Sequence, residues 1–192
     1  VNGSAEKAVL ARTLQEGHIV GNHSHEHKNL RTLSIAQLDS QLERTQALIV
    51  EAGETRRFMR FPFGSAGCAA AQRVRDSGYT ITGWHVDTAD WCFASSTGGV
   101  GHCAKSTFKH VPDSYRGDMA AFTLSQVRKY NGGIVLYHDI HQNTANSLEG
   151  IITSLEAEGY TFTSLDDTDT FPRLNGLTPP FVGDACAHDS QC

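Results

Sequence analysis

Apolar and polar positions alternate in blocks along this chain, and the blocks predict strands and helices in turn. Ala8, Val9, Leu10 and Leu14 recur at helical spacing, which predicts a helix over 4–16 with Ser4 as N-cap and Gly17 closing it. Residues 18–22 then read as a short buried strand. Ser34-Ile35-Ala36-Gln37 has the capping-box pattern and opens a long amphipathic helix through Leu38, Leu42, Leu48 and Ile49 to Gly53. The rhythm repeats with a strand over 58–61, a break at Pro62-Phe63-Gly64, a helix over 67–77, and a strand over 79–84 that runs into His85-Val86-Asp87. A polar segment over 91–112 shows little periodicity, long for a structureless loop and therefore a hint of function. A helix over 118–130, an apolar strand over 134–137, a helix over 144–158 and a strand over 160–162 complete the series. After Leu165 the chain becomes Asp-, Pro- and Gly-rich, which divides it into a domain over 1–165 and a tail over 166–192.

Short apolar strands alternating with helices predict an α/β fold with a mainly parallel sheet, open or closed into a barrel. The polar residues gather just after the strands: His23 to His27, Arg60, Asp87 to Asp90, and His138 to His141. In both architectures the C-terminal ends of strands are where sites form. Four such clusters in register are harder to dismiss than one.

Composition narrows the function classes. At 192 residues, 39% hydrophobic and 19% charged, the chain can bury a core of its own. A net charge of −5 argues against a nucleic-acid partner, which calls for clustered Lys and Arg. No apolar run approaches the roughly 20 residues of a membrane span. Five cysteines suggest an oxidising compartment. Cys92 with Cys103 and Cys186 with Cys192 are close enough to bridge, which leaves Cys68 over. Cysteine-based zinc binding is the rival, but no C-x-x-C occurs. A secreted or periplasmic location is expected, and a monomer.

His23-Ser24-His25-Glu26-His27 carries the clearest chemistry. His23 and His27, four residues apart, can lie on one face of a helical turn and present both imidazoles to one ion. Taken alone, the cluster is equally a polar loop. Two histidines leave a divalent ion short of ligands, so a carboxylate is needed as well. A general base must take a proton from water, and a general acid must protonate the leaving group. His138 follows a buried strand, and Asp90 could orient it; a histidine there is otherwise a structural hydrogen-bonding residue. Arg60, in an apolar setting, needs a carboxylate partner, either catalytic or structural. Trp91 and Leu136 could wall a small apolar pocket, or simply belong to the core.

In their order and spacing these motifs resemble the polysaccharide deacetylases of the NodB-homology type, carbohydrate esterase family 4. His23-Ser24-His25-Glu26-His27 resembles the family's H-[ST]-x-x-H motif, which implies metal binding by His23 and His27. Arg60-Phe61-Pro62-Phe63-Gly64 is similar to R-x-P-[FY]. There the arginine pairs with the catalytic base, and the Phe63 N–H would help bind the oxyanion. Asp87-Thr88-Ala89-Asp90-Trp91 is similar to D-x-x-D-W, implying that Asp90 tunes the catalytic histidine, with Asp87 and Trp91 on the substrate side. Leu136-Tyr137-His138 resembles L-x-H, with His138 as general acid and Leu136 beside the acetyl methyl.

The family's first motif, T-F-D-D-G, is not in this sequence. In the family it supplies the general base and the third metal ligand, so the resemblance has the chain starting downstream of it. The implied fold is a deformed (β/α) barrel of the NodB type without its first strand. The implied activity is metal-dependent N-deacetylation of an N-acetylglucosamine-containing glycan, chitin or peptidoglycan. Zinc is the expected ion, with cobalt or nickel as substitutes. A catalytically inactive glycan-binding protein and an O-deacetylase of acetylated xylan are the alternatives.

Overall fold

The computed structural model describes residues 3–177. The described residues fall into two compact units, 3–83 with 163–177, and 84–162. Each has its own core and its own pair of parallel strands.

In the first unit, α1 (Ser4–Gln15) is followed by α2 (Ile35–Glu51), β1 (Phe58–Met59), α3 (Cys68–Asp76) and β2 (Thr80–Ile81). The predicted capping box is formed: Ser34 accepts from the Gln37 amide, and the Gln37 side chain reaches back to the Ser34 N–H. α2 buries Leu38, Leu42 and Ile49, and with them two polar residues, Gln41 and Gln46. Leu30, Leu38, Leu42, Met59, Phe61, Val74 and Tyr79 form the core. β1 pairs with β2, Phe58 opposite Thr80 and Met59 opposite Ile81.

Three expectations are corrected in this unit. Gly3, not Ser4, is the N-cap of α1, and it makes no side-chain cap bond. No residue of α1 is buried among those described, and Val9 is 66% exposed, so its apolar spacing does not mark a core face here. The strand predicted over 18–22 reduces to a single parallel bridge between Asn22 and Met59. That bridge is enough to fix register: Asn22 N–H donates to Phe58 O at 2.8 Å and Arg60 N–H to Asn22 O at 3.1 Å.

Residues 163–177 are turns. Asp166 pairs with Arg56 at 2.5 Å, and Asp167 accepts the amides of Asp169 and Thr170, so these acidic residues act as turn caps and an ion pair. Arg56 also holds the buried Glu54 carboxylate, whose pKa its hydrogen bonds bring down to about 2.

The second unit contains β3 (Val86–Asp87), α4 (Met119–Tyr130), β4 (Val135–Leu136) and α5 (Gln142–Ala157). β3 and β4 are parallel, with Val86 opposite Val135 and Asp87 opposite Leu136. Val86, Phe93, Val111, Met119, Phe122, Val127, Ile151 and Leu155 form its core. The strand predicted over 160–162 is absent; Tyr160 packs on this core, while Phe162 is exposed.

The aperiodic segment over 91–112 is held by the predicted Cys92–Cys103 disulfide. The buried Arg116 supports it further, donating to the carbonyls of Cys103 and Phe108. Cys68 is disulfide-bonded rather than left over, and the Cys186–Cys192 pairing lies outside the described residues. Closing a loop of sequence separation 11 constrains the unfolded chain by about 3 kcal/mol in the chain-entropy picture. A Cys92→Ser, Cys103→Ser double variant should lose stability on that scale, read as a lowered midpoint in urea unfolding, with a steeper slope because the unlinked denatured chain exposes more surface.

Candidate active site

Each unit carries one half of the predicted constellation. In the first, the Asn22–Met59 bridge sets His23 beside Arg60, the next residue on each chain segment. His23 Nδ1 lies 2.6 Å from the Arg60 carbonyl oxygen. A carbonyl only accepts, so Nδ1 carries the proton, and in the neutral ring Nε2 is the nitrogen left unprotonated. Metal-binding imidazoles are usually oriented by an acceptor of this kind on the other ring nitrogen.

His23 and His27 do come together, their ring centroids 5.0 Å apart, but not on a helical turn. Residues 23–29 form a loop in which Ser24 (φ 67°) and His27 (φ 52°) are left-handed. The reversal at these two residues replaces the helical repeat. Each left-handed non-glycine residue costs on the order of 1–2 kcal/mol, so tertiary contacts must offset it.

Sequence reasoning missed the residues that supply those contacts. Asn22, 2% exposed, accepts the Ser24 amide at 3.0 Å and donates to Leu42 O and the Tyr79 hydroxyl. Gln41 accepts the amides of both His25 and Glu26. Its position on the apolar stripe of α2, between Leu38 and Leu42, was the available signal: a buried amide needs partners.

Phe63 lies in the break after β1, itself left-handed (φ 60°) and 68% exposed, with its ring edge-on to His27 at 4.7 Å. His23, His27, Arg60 and Phe63 thus share one loop cluster. His25 hydrogen-bonds to Gln41 through its backbone.

The second unit builds an acid–histidine pair. The β3–β4 register, Asp87 opposite Leu136, carries the two strand exits forward together, Asp90 three residues on and His138 two. Asp90 is fully buried, at 0% exposure. Its Oδ1 accepts from His138 Nδ1 at 2.7 Å and from the Trp91 amide at 3.0 Å. Its Oδ2 accepts from the His138 amide and from Thr144 Oγ1, each at 2.6 Å. Burial alone would raise the Asp90 pKa. The hydrogen bonds from His138 and Thr144 outweigh it and hold the carboxyl below its usual range. Nδ1 of His138 therefore carries a proton, directed at Asp90.

Asp87 Oδ1 accepts the Ala89 amide at 2.9 Å, shaping the left-handed turn at Ala89 (φ 51°). Trp91 is half-buried, edge-on to Phe108 at 5.4 Å. Leu136 is buried, and its carbonyl accepts from Thr88 Oγ1. Tyr137 points into the unit, where burial pushes its phenol up to about 12. Thr144 and Asn143, which donates to Asp90 O at 2.9 Å, are further residues the sequence did not announce.

The donor set suits a divalent metal in part. Two imidazoles, one of them tautomerically fixed, match zinc, cobalt or nickel. Among the described residues no group of three His, Cys, Asp or Glu side chains gathers, so the set here is a histidine pair. No helix among them is long and apolar enough to cross a membrane.

Comparison with known proteins points one way. The profile described as polysaccharide deacetylase matches residues 2–82. The peptidoglycan-N-acetylglucosamine deacetylase PgdA of Listeria monocytogenes is 32% identical over 160 residues, 83% of this chain and 29% of that protein. A chitin deacetylase of Pestalotiopsis is 30% identical over 157 residues, 80% of this chain and 46% of that one. The chain therefore spans under half the length of these relatives. A carbohydrate esterase family 4 pseudoenzyme from Bacillus anthracis has a similar structure, with TM-score 0.60 at 25% identity, over 82% of this chain and 48% of that one. The expected α/β fold class is the one these proteins have.

Proposed function

Because this chain belongs to the polysaccharide deacetylase family, we propose that it serves to remove acetyl groups from an N-acetylglucosamine-containing glycan. The observation that carries this reading is the Asp90–His138 pair. A proton held on Nδ1 by a buried carboxylate leaves the other imidazole nitrogen to titrate, which is what a general acid for an amine leaving group requires.

His23 and His27 would hold a divalent ion, zinc by preference. Such an ion, when bound, polarises an acyl carbonyl and acidifies a water molecule. The Arg60 carbonyl keeps His23 in the tautomer that can ligate. The Phe63 amide would donate to the oxyanion, and Arg60 would pair with a catalytic carboxylate. Trp91 and Leu136 would wall the acetyl methyl, with Asp87 shaping the turn beside them. His138 would give its Nε2 proton to the departing amine, and Asp90 would keep the ring oriented through the transfer. Relatives acting on peptidoglycan and on chitin support a glycan of this class. The Cys92–Cys103 disulfide suits a secreted or cell-envelope setting.

A second reading is favoured by one observation: a structural neighbour of this chain is described as a pseudoenzyme. On that reading the chain binds glycan without hydrolysing it. Acetate release from chitin oligomers and from peptidoglycan, by the full-length protein loaded with zinc, separates the two. Release that stops on chelation and returns with zinc is expected; glycan binding without release would establish the second reading.

A further inference from the structure

Gln41 lies on α2, 15 and 16 residues from the amides it serves, and is 5% exposed. A glutamine between Leu38 and Leu42 on a buried stripe is costly unless all its polar atoms are used. Here they are turned toward one loop. Oε1 accepts two consecutive amides, of His25 at 3.1 Å and Glu26 at 2.8 Å, and Nε2 donates to Glu26 Oε2 at 2.8 Å. The same Glu26 carboxylate is held from outside by Lys28 at 2.6 Å and Arg44 at 3.7 Å. Asn22 adds the bond to the Ser24 amide on the other side. The three residues between His23 and His27 are thus gripped at every backbone amide.

What this grip opposes is the strain of the loop. Ser24 and His27, the residues on either side of the pair that Gln41 holds, are both left-handed. Released, either would relax toward extended or right-handed backbone and swing the His27 ring away from His23. Three hydrogen bonds from Gln41 and one from Asn22 act against the strain of these two residues.

We infer that Gln41 is a positioning residue for metal binding: it sets the distance between the two histidine rings by holding the His25 and Glu26 amides. Its hydrogen bonds go to the loop between the two histidines, to the His25 and Glu26 amides and the Glu26 carboxylate. The inference rests on the proposed metal role of His23 and His27, and its test can fail separately from that role.

The test compares zinc affinity, by competition with a chromophoric chelator, in the full-length wild type and in Gln41→Met, His27→Ala and Gln41→Glu with Glu26→Gln. Gln41→Met keeps the volume and loses all three bonds. It should bind zinc 10- to 100-fold more weakly, the range seen when outer-shell partners of metal ligands are removed. Gln41→Glu keeps an acceptor for both amides but opposes the Glu26 carboxylate where Nε2 donated, so it is made together with Glu26→Gln, and that exchanged pair should recover most of the affinity. Hydrogen exchange in the unaltered protein is the second measurement and needs no variant to fold: the His25 and Glu26 amides should be protected although Glu26 is exposed. Zinc affinity of Gln41→Met equal to wild type, or rapid exchange at both amides, would overturn the inference. If His27→Ala binds zinc as well as wild type does, the metal role itself fails instead.

Discussion

Replacing His138 with Asn should lower acetate release from an N-acetylated glycan by at least about 100-fold, while leaving zinc content and fold unchanged. The size follows from the role: a positioned general acid contributes on the order of 10²–10⁴ in rate. Asn is the informative substitution because its side-chain amide can still donate to Asp90 Oδ1, where His138 Nδ1 donates at 2.7 Å. The buried carboxylate then keeps a partner there, and a loss of activity cannot be laid to a collapsed pocket. The decisive comparison is between leaving groups. An amine cannot depart without a proton, whereas the phenolate of an aryl acetate can. The variant should therefore be crippled on the glycan amide and far less impaired on the aryl ester. Equal losses on both substrates would assign His138 to substrate binding or to structure, and undiminished glycan deacetylation would remove it from the mechanism.

The residues that make this prediction possible were legible in the sequence because they follow strands. Asp90 and His138 lie just beyond Asp87 and Leu136, which face each other across a parallel pair, so reading the strand exits was enough to bring the two together. Thr144 and Asn143 were not legible. They reach Asp90 from the first turn of α5, and no pattern in residues 142–157 says which way that turn faces an element some 50 positions earlier. The histidine pair shows a different kind of gap. Spacing of four suggested a helical turn, and the rings do meet, but through two left-handed residues stabilised by Asn22 and Gln41. Local propensity disfavours that backbone, so only the tertiary bonds could have revealed it.

Strand prediction failed where propensity had no partner to act on. Tyr160-Thr161-Phe162 has strand-like composition, but β preference expresses packing against a neighbouring strand, and among the described residues these three pair with none. The cysteines divide in the same way. Nearness in sequence identified Cys92 with Cys103, while Cys68, which is disulfide-bonded, has no cysteine close to it in the sequence.

Asp90→Asn should be the most damaging isosteric change in the second unit, costing stability and activity together, and the two losses should be separable by pH. The Asp90 carboxylate accepts four hydrogen bonds, two on each oxygen. An asparagine with its oxygen toward Trp91 and His138 Nδ1 turns its NH₂ toward the His138 amide, which can only donate. Thr144 can rotate its hydroxyl to accept, but the backbone amide cannot, so one buried donor is left facing another. That conflict should cost about 1–3 kcal/mol.

The pH dependence follows from linkage. The folded Asp90 pKa lies below its unfolded value of 3.8, so its contribution is complete above that value and is lost as pH falls through the lower folded one. Wild type should therefore lose stability steadily below pH 3.8, and Asp90→Asn should lose less over the same interval. At neutral pH, where both proteins remain folded, the variant should still deacetylate on the order of 100-fold more slowly, because His138 no longer has a carboxylate to stabilise it as the proton moves. An Asp90→Asn protein with wild-type acid sensitivity would show that this carboxylate is not ionised in the folded state. One that is destabilised but fully active would reduce the Asp90–His138 pair to a structural contact.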